Sequence, residues 1–362
     1  MRFRVVRKRS APGEKGLSGV ANASFGFYMV WVVHLGRRYG IVSYLSRRKR
    51  PAGASAIARA CGLHEPAVGV WCEAARSLGI IDRAGGGYRL SAIHRALLAD
   101  TDDVRFLGGQ FSYLALRSLD FEAFDSLFRR GRVDASGSRD LREASEEATV
   151  WDHTSFLKFL LPRVPRLASR LRAGARALDV GCGTGGWVLR MAREFPKSSF
   201  LGIDPDRTAI RIARNKKRAG GGVVRFRVGS GGERMRESAL FDLAYLGEVL
   251  YRVNGKVRLL RNVRSALARD GVLVLAEGLV TPATNSVDAA PNLVPPMGLD
   301  FALQGARFFE KSELEALLRE AGFHRMKFRD AGGGLWFVVA DPRLRERVSE
   351  RGGAARRARG DR

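Results

Sequence analysis

Residues 177–206, ALDVGCGTGGWVLRMAREFPKSSFLGIDPD, constrain the chain more than any other stretch. An apolar run ends at Asp179-Val180 and a glycine-rich turn follows. An amphipathic helix then begins near Gly186, and a second apolar run closes at Asp204. Such a strand–turn–helix–strand unit builds parallel sheets wrapped by helices. Gly181, Gly183 and Gly185 carry no Cβ, so the backbone can turn through positive φ and approach a ligand closely. Asp204, 23 positions after Gly181, is placed to accept hydrogen bonds from ribose hydroxyls. The combination predicts a nucleoside-containing cofactor at the carboxyl edge of the sheet. Because GCGTGG also satisfies G-x-G-x-x-G, a nicotinamide dinucleotide is a competing reading at this level.

The chain changes character near residue 170. Before it, apolar residues recur at helical spacing, as in FYMVWVVHLGRRYGIVSYL and FLGGQFSYLALRSLDFEAFDSLF. After it, ARALDVG, SFLGIDP, VVRFRVG, LFDLAYL, GVLVLAEG and LWFVVAD read as strands between amphipathic helices. The expected fold is α/β: a Rossmann-like, doubly wound, mainly parallel sheet preceded by an all-helical, winged-helix domain. Residues 54–90 supply that module, with ASAIARACGL, then HEPAVGVWCEAARSLGII opened by Pro66, then DRAGGGYRL as two short strands around a glycine turn. Basic disordered tails are expected over 1–15 and 343–362, a winged-helix domain over 16–130, a linker over 131–150 and the sheet domain over 151–342.

The formal net charge is +26, and 53 of the 63 basic residues are arginine. An arginine excess beside abundant alanine and glycine is what a GC-rich genome imposes. The tails hold nets of +5 (1–15) and +4 (341–362), and the rest is spread along the chain. Diffuse charge governs solubility more than recognition. The second helix of the winged module offers Glu65, Glu73, Trp71, Cys72 and a single Arg76, whereas a DNA-reading helix needs donors aimed at base edges. Nucleic acid is therefore a partner the composition permits but does not favour, and the module reads as a scaffold or dimerisation element. Cys61, Cys72 and Cys182 form neither a disulfide framework nor a metal-ligand pair, which fits a reducing cytoplasm and no metal. The most apolar stretch, Val20–Leu35, is interrupted by Asn22, Ser24 and His34 and is too short to span a bilayer, so no membrane partner is expected.

D-V-G-C-G-T-G followed by G-I-D-P-D resembles the first motif, and the acid after it, of class I S-adenosylmethionine-dependent methyltransferases. FDLAYLGEVLYRV, LLRNVRSALARDGVLVLAEGLVTP and FFEKSELEALLREAGF resemble later segments of the same family, over about residues 150–340. The first half resembles the N-terminal winged-helix dimerisation domain of small-molecule O-methyltransferases. The resemblance implies S-adenosylmethionine as cofactor, a homodimer and a small-molecule acceptor. Asp179, Gly181, Cys182, Gly183 and Gly185 would line the methionine and ribose portion, with Cys182 as a small filler. Asp204 would hold the ribose diol beside Pro205, and Gly247 would close the set. Ser230 stands where many relatives place an acid against the adenine amino group, and a hydroxyl would accept that bond more weakly.

Methyl transfer is an in-line displacement that mainly requires alignment and exclusion of water. A phenolic acceptor also needs a base near neutral pH. In plant-like relatives a histidine flanked by two glutamates serves. Here Tyr251 stands at the histidine position, Glu277 keeps one glutamate, and the other falls near Phe308. The remaining candidate bases are His153, Glu248 and Glu277. Trp151, Phe156, Met297, Phe301, Phe308 and Phe309 are expected to line a hydrophobic acceptor pocket. The fourth strand is followed by YLGEVL and not by a nucleobase-methylation motif, which leaves RNA methylation behind small-molecule transfer. A metabolite-sensing, DNA-binding regulator is the alternative from a different functional class.

Overall fold

A computed structural model describes residues 12–131, 139–217, 223–232, 240–280 and 294–341. The first half contains α1 (Pro12–Arg38), α2 (Ile41–Ser46), α3 (Ala54–Cys61) and α4 (Glu65–Ser77). The hairpin β1 (Asp82–Ala84)/β2 (Gly87–Arg89) follows, then α5 (Ala92–Leu98), α6 (Gly108–Ser118) and α7 (Phe124–Arg130). Gly62 ends α3 in the left-handed region, and Gly85 and Gly86, both at positive φ, make the two-residue turn of the hairpin. Val33, Ile41, Val42, Leu45, Ile57 and Cys72 are buried together, with Trp71 bonded through its indole N–H to the Val32 carbonyl at 2.9 Å.

The second half contains α8 (Arg139–Ser155), α9 (Pro165–Ala173), β3 (Arg176–Val180), α10 (Gly186–Glu194), β4 (Ser199–Asp204), α11 (Arg207–Lys217), β5 (Val223–Val228) and β6 (Phe241–Gly247). It continues with α12 (Lys256–Ala266), β7 (Leu267–Val280), α13 (Val294–Leu303), β8 (Phe309–Glu310), α14 (Lys311–Glu320), β9 (Arg325–Gly332) and β10 (Leu335–Asp341). The sheet order is β5-β4-β3-β6-β7-β10-β9, parallel from β5 to β7, with β10 antiparallel to both its neighbours and β8 added at the end of β7. The strand order reverses beside β3, so the carboxyl ends of β3 and β6 open a crevice there. One face is covered by α9, α10 and α11 through Leu171, Trp187, Met191 and Ile210; the other by α12 and α14 through Leu259, Val263, Leu314 and Leu318. Burying each such side chain contributes about 1.5–3 kcal/mol.

Two expected boundaries are corrected. The linker over 131–150 is replaced from Arg139 onward by α8, which runs across residue 151 without a break. Alanine and glutamate favour helix in this segment. Tertiary bonds then fix it: Arg37 donates to Glu147 at 3.1 Å, and Gln110 donates to the Ala148 carbonyl at 3.3 Å. The N-terminal tail is shorter than expected, because Pro12 already opens α1, where its missing N–H costs nothing. Residues 1–11, 132–138 and 342–362 lie outside the described residues. Among the described residues, no helix is long and apolar enough to cross a membrane.

Candidate active site

The turn after β3 is built from backbone. Gly181, Gly183 and Gly185 have φ of 80°, 52° and 85°. A Cβ on Gly181 would stand 2.5 Å from Val249, and one on Gly185 would stand 2.6 Å from the Phe226 ring. At Gly183 nothing lies within 4 Å, so that side of the turn faces open space. The Gly183 N–H donates to Asp204 Oδ2 at 2.9 Å, and the Asp206 N–H donates to Oδ1 at 2.8 Å. Each oxygen keeps a second lone pair for a ligand hydroxyl. Burial lifts the Asp204 carboxyl above its ordinary range, while those two backbone donors pull it back. Asp179 is buried beneath the turn, its carboxyl raised by burial and by the neighbouring Asp204 charge. Cys182 fills the space against Gly202, and burial pushes its thiol up, away from the reactive thiolate. Pro205 and Ser230 are exposed at the ends of β4 and β5. This cradle fits the adenosine-bearing cofactor that the sequence implies: an unobstructed glycine face beside a carboxylate with free lone pairs.

α8 is pinned across this turn. Arg142 pairs with Asp206 at 2.7 Å; Glu146 accepts from the Thr184 hydroxyl and from Lys216 Nζ, the latter at 2.6 Å. None of these contacts was foreseen, because this part of α8 reads from sequence as linker.

The neighbouring edge is built from acids. Glu248 is the non-glycine residue at positive φ among the described residues, at 55°. Its backbone N–H donates to the Ala276 carbonyl at 2.8 Å, and its Oε1 accepts from the Gly278 N–H at 2.9 Å. Glu277 answers across the same gap: its Oε1 accepts from the N–H groups of Val249, at 3.2 Å, and Leu250, at 2.9 Å. Each carboxylate thus clamps the backbone beside the other. Asp152 approaches Glu248 from α8, and the Tyr245 hydroxyl feels Asp152, Asp179, Glu248 and Glu277 together. Burial raises all these groups, with Glu248 brought up to about 7. Gly247 is bare because a Cβ there would meet that hydroxyl at 2.7 Å.

Tyr251 lies where burial keeps its phenol protonated, and its oxygen accepts from Arg252 Nε at 3.1 Å. Its ring lies 4.5 Å from Phe301, which stacks on Phe308 at 3.8 Å; Met297 packs against the same group. Phe308 rests on Gly278, where a Cβ would stand 2.6 Å from its ring. The six residues expected to line the acceptor pocket therefore separate. Met297, Phe301 and Phe308 meet beside Tyr251. Phe156 is instead sealed in the core, edge-on to Trp187 and Tyr245, because the wide turn after α8 directs it under the sheet. Phe309 is buried against the opposite face, because adjacent residues at the short strand β8 point to opposite sides. Trp151 donates its indole N–H to the Val104 carbonyl at 2.8 Å, while its ring packs on the sheet domain near Gly333.

His153 is likewise displaced from the reacting edge. Its ring lies against Gly186 at the start of α10, and burial together with Arg190 lowers its pKa to about 3. The imidazole stays neutral there. Its neighbour Asp152, which sequence reasoning passed over, occupies the edge instead. Sequence reasoning also missed a buried latch between α6 and α13. Asp300 accepts from the Tyr113 hydroxyl and Arg117 Nε, and Arg117 Nη1 bonds Asp120 at 2.7 Å. Gln304 joins Tyr113, at 3.2 Å, to Arg252, at 2.5 Å. These partners are up to 191 positions apart, a separation that no local motif signals.

Residues 151–325 match the family model described as methyltransferase domain. The chain is 30% identical over 160 residues to a malonyl-[acyl-carrier protein] O-methyltransferase of Geobacter sulfurreducens, covering 43% of this chain and 58% of that protein. It is 30% identical over 197 residues to a ubiquinone biosynthesis O-methyltransferase of Xanthomonas axonopodis pv. citri, covering 52% of this chain and 77% of that one. The chain thus spans less than two thirds of the Geobacter protein and over three quarters of the Xanthomonas one. In structure it is similar to human N-acetylserotonin methyltransferase in complex with S-adenosylmethionine, with a TM-score of 0.68 at 17% identity. That likeness covers 93% of this chain and 99% of the human chain, and it establishes the fold.

Proposed function

Since this chain belongs to the S-adenosylmethionine-dependent methyltransferase family, we propose that it methylates a small acceptor with a hydrophobic or aromatic body, at a hydroxyl oxygen. One arrangement carries this reading. The open glycine turn with Asp204 and the aromatic group of Tyr251, Phe301 and Phe308 flank the same buried acids. S-adenosylmethionine supplies a methyl group on a sulfonium, which a lone pair displaces in line. Gly183 and Asp204 would hold its ribose, and the stacked rings would hold the acceptor body and exclude water. Glu248, poised near 7 and oriented by the Gly278 N–H, would take the acceptor proton. Tyr251, held as a phenol, would serve as a wall and hydrogen-bond donor.

The same reading places two copies together through α1, where Phe25, Phe27 and Tyr28 are 61%, 56% and 64% exposed, in a cytoplasm that keeps Cys61, Cys72 and Cys182 as free thiols. Nucleic-acid reading by α4 is not favoured, since Arg76, at 2.9 Å, and Arg83, at 3.7 Å, both turn to Glu73. Calorimetry with S-adenosylmethionine, followed by labelled-methyl transfer to a metabolite extract, tests the proposal. Binding that Asp204→Ala weakens at least tenfold, with label entering a small product, is the expected result. Absence of binding, or label entering only RNA, overturns it.

A further inference from the structure

The acid edge holds more negative charge than the proposed reaction uses. Glu277 is 1% exposed, one of its oxygens is fully engaged, and the other, Oε2, is buried with no partner among the described residues. Asp152 is 6% exposed and lies within reach of the Glu248 charge. Buried acceptors left in this state are costly unless something completes them. Arg252 is the cation that acts on Glu248, and it is already engaged by Tyr251 and Gln304. The bound donor would add one sulfonium, which leaves at least one of the three carboxyls to be completed from elsewhere.

A wall of rings adjoins these acids. Glu248 Oε1 is bonded to the Gly278 N–H at 2.9 Å, and the Phe308 ring rests on that same glycine. Tyr251 feels the charges of Glu248 and Glu277; its ring lies 4.5 Å from Phe301, and the Arg252 guanidinium stands over it at 5.3 Å from the centroid. Buried carboxylates next to π faces form the environment in which an alkylammonium is held best, by charge-assisted hydrogen bonds on one side and cation–π attraction on the other. A bare metal ion suits it less: among the described residues, no three His, Cys, Asp or Glu side chains converge closely enough to hold one.

We infer that the acceptor carries a protonated amine, seated between Asp152, the free oxygen of Glu277 and the rings of Phe301 and Phe308. This inference rests on the methyl-transfer reading and narrows its acceptor from hydrophobic small molecules to amine-bearing aromatic ones.

The test uses the full chain saturated with S-adenosylhomocysteine and two probes of one skeleton, phenethylamine and 2-phenylethanol, titrated calorimetrically at pH 7.5. Phenethylamine is expected to bind at least tenfold more tightly. In Asp152→Asn and Glu277→Gln that preference falls to threefold or less. Equal affinities, a preference for the alcohol, or no binding of either probe to a chain that still binds S-adenosylhomocysteine would overturn the inference alone. Failure to bind S-adenosylhomocysteine would remove the methyl-transfer reading along with it. Because the wild-type comparison is decisive by itself, a variant that fails to fold does not obscure the result.

Discussion

The proposed donor and acceptor halves of this site adjoin one another but are made differently. The donor half comes from one continuous stretch, Asp179 to Asp206, and consists mainly of backbone: three left-handed glycines and a carboxylate bonded to the N–H groups of Gly183 and Asp206. The acceptor half is gathered from α6, α8, the turn after β6, the end of β7 and α13, and consists of buried side chains. A backbone cradle is specified by a few glycines and tolerates little variation. A side-chain pocket can be revised one residue at a time, which suits a scaffold that meets many acceptors through one donor.

Four substitutions would break or sharpen this contrast. Asp300→Ala should act on the acceptor half alone. It removes one of the two acids that pair the buried Arg117 guanidinium, and the acceptor of the Tyr113 hydroxyl, so chemical denaturation should show a loss of about 3 kcal/mol. Under conditions where the variant is folded, donor affinity should be unchanged. Gly181→Ala should do the reverse, since a left-handed alanine pressed on Val249 costs about 2–4 kcal/mol and reshapes the donor turn. Its signature is lost donor binding in calorimetry, with the Asp300 latch intact.

Glu248→Gln should leave donor binding within twofold and slow methyl transfer by about 10²-fold. It should also flatten the acidic limb of the rate profile, which in the wild type rises toward pH 7 as Glu248 ionises. Stability should move the opposite way. A carboxyl whose folded pKa is raised holds its proton longer in the native chain than in the unfolded one, so stability falls as pH rises from about 4.5 through 7. Urea titrations at pH 5 and pH 7.5 should show that decline, and Glu248→Gln should reduce it. Tyr251→Phe should matter least, slowing transfer by less than about threefold if the phenol is a wall; a general base would show about 10²-fold.

The same contrast explains what could be read from the sequence. D-V-G-C-G-T-G and I-D-P-D announce their geometry because glycine spacing and the strand-end acid act over a few residues. The central strands were visible for a similar reason: buried on both faces, they are continuous apolar runs. β9 escaped because Met326 and Phe328 alternate with Arg325, Lys327 and Arg329, as suits an edge strand with one wet face. Asp152 and His153 show the limit most sharply. Histidine has the more suitable ordinary pKa, but adjacent helical positions diverge by about 100°. The packing of α8 on α10 decides which of the two reaches the edge. Phe308 and Phe309, equally apolar in sequence, separate in the same way across the short β8.

The missing side chain at position 247 has a consequence for how this lineage can drift. The Tyr245 ring is stacked on Trp187 at 4.3 Å and cannot swing aside, so its hydroxyl permanently occupies the space that a methyl at 247 would need. The two positions therefore form a single evolutionary unit. A larger residue at 247 becomes admissible only in a descendant whose ring at 245 has already been replaced by a smaller side chain, because Cε1 and Cζ would also stand 2.9 and 3.0 Å from the new Cβ. That descendant would also have lost the one neutral group shared by four acids, so the order in which the two changes occur decides whether the intermediate survives.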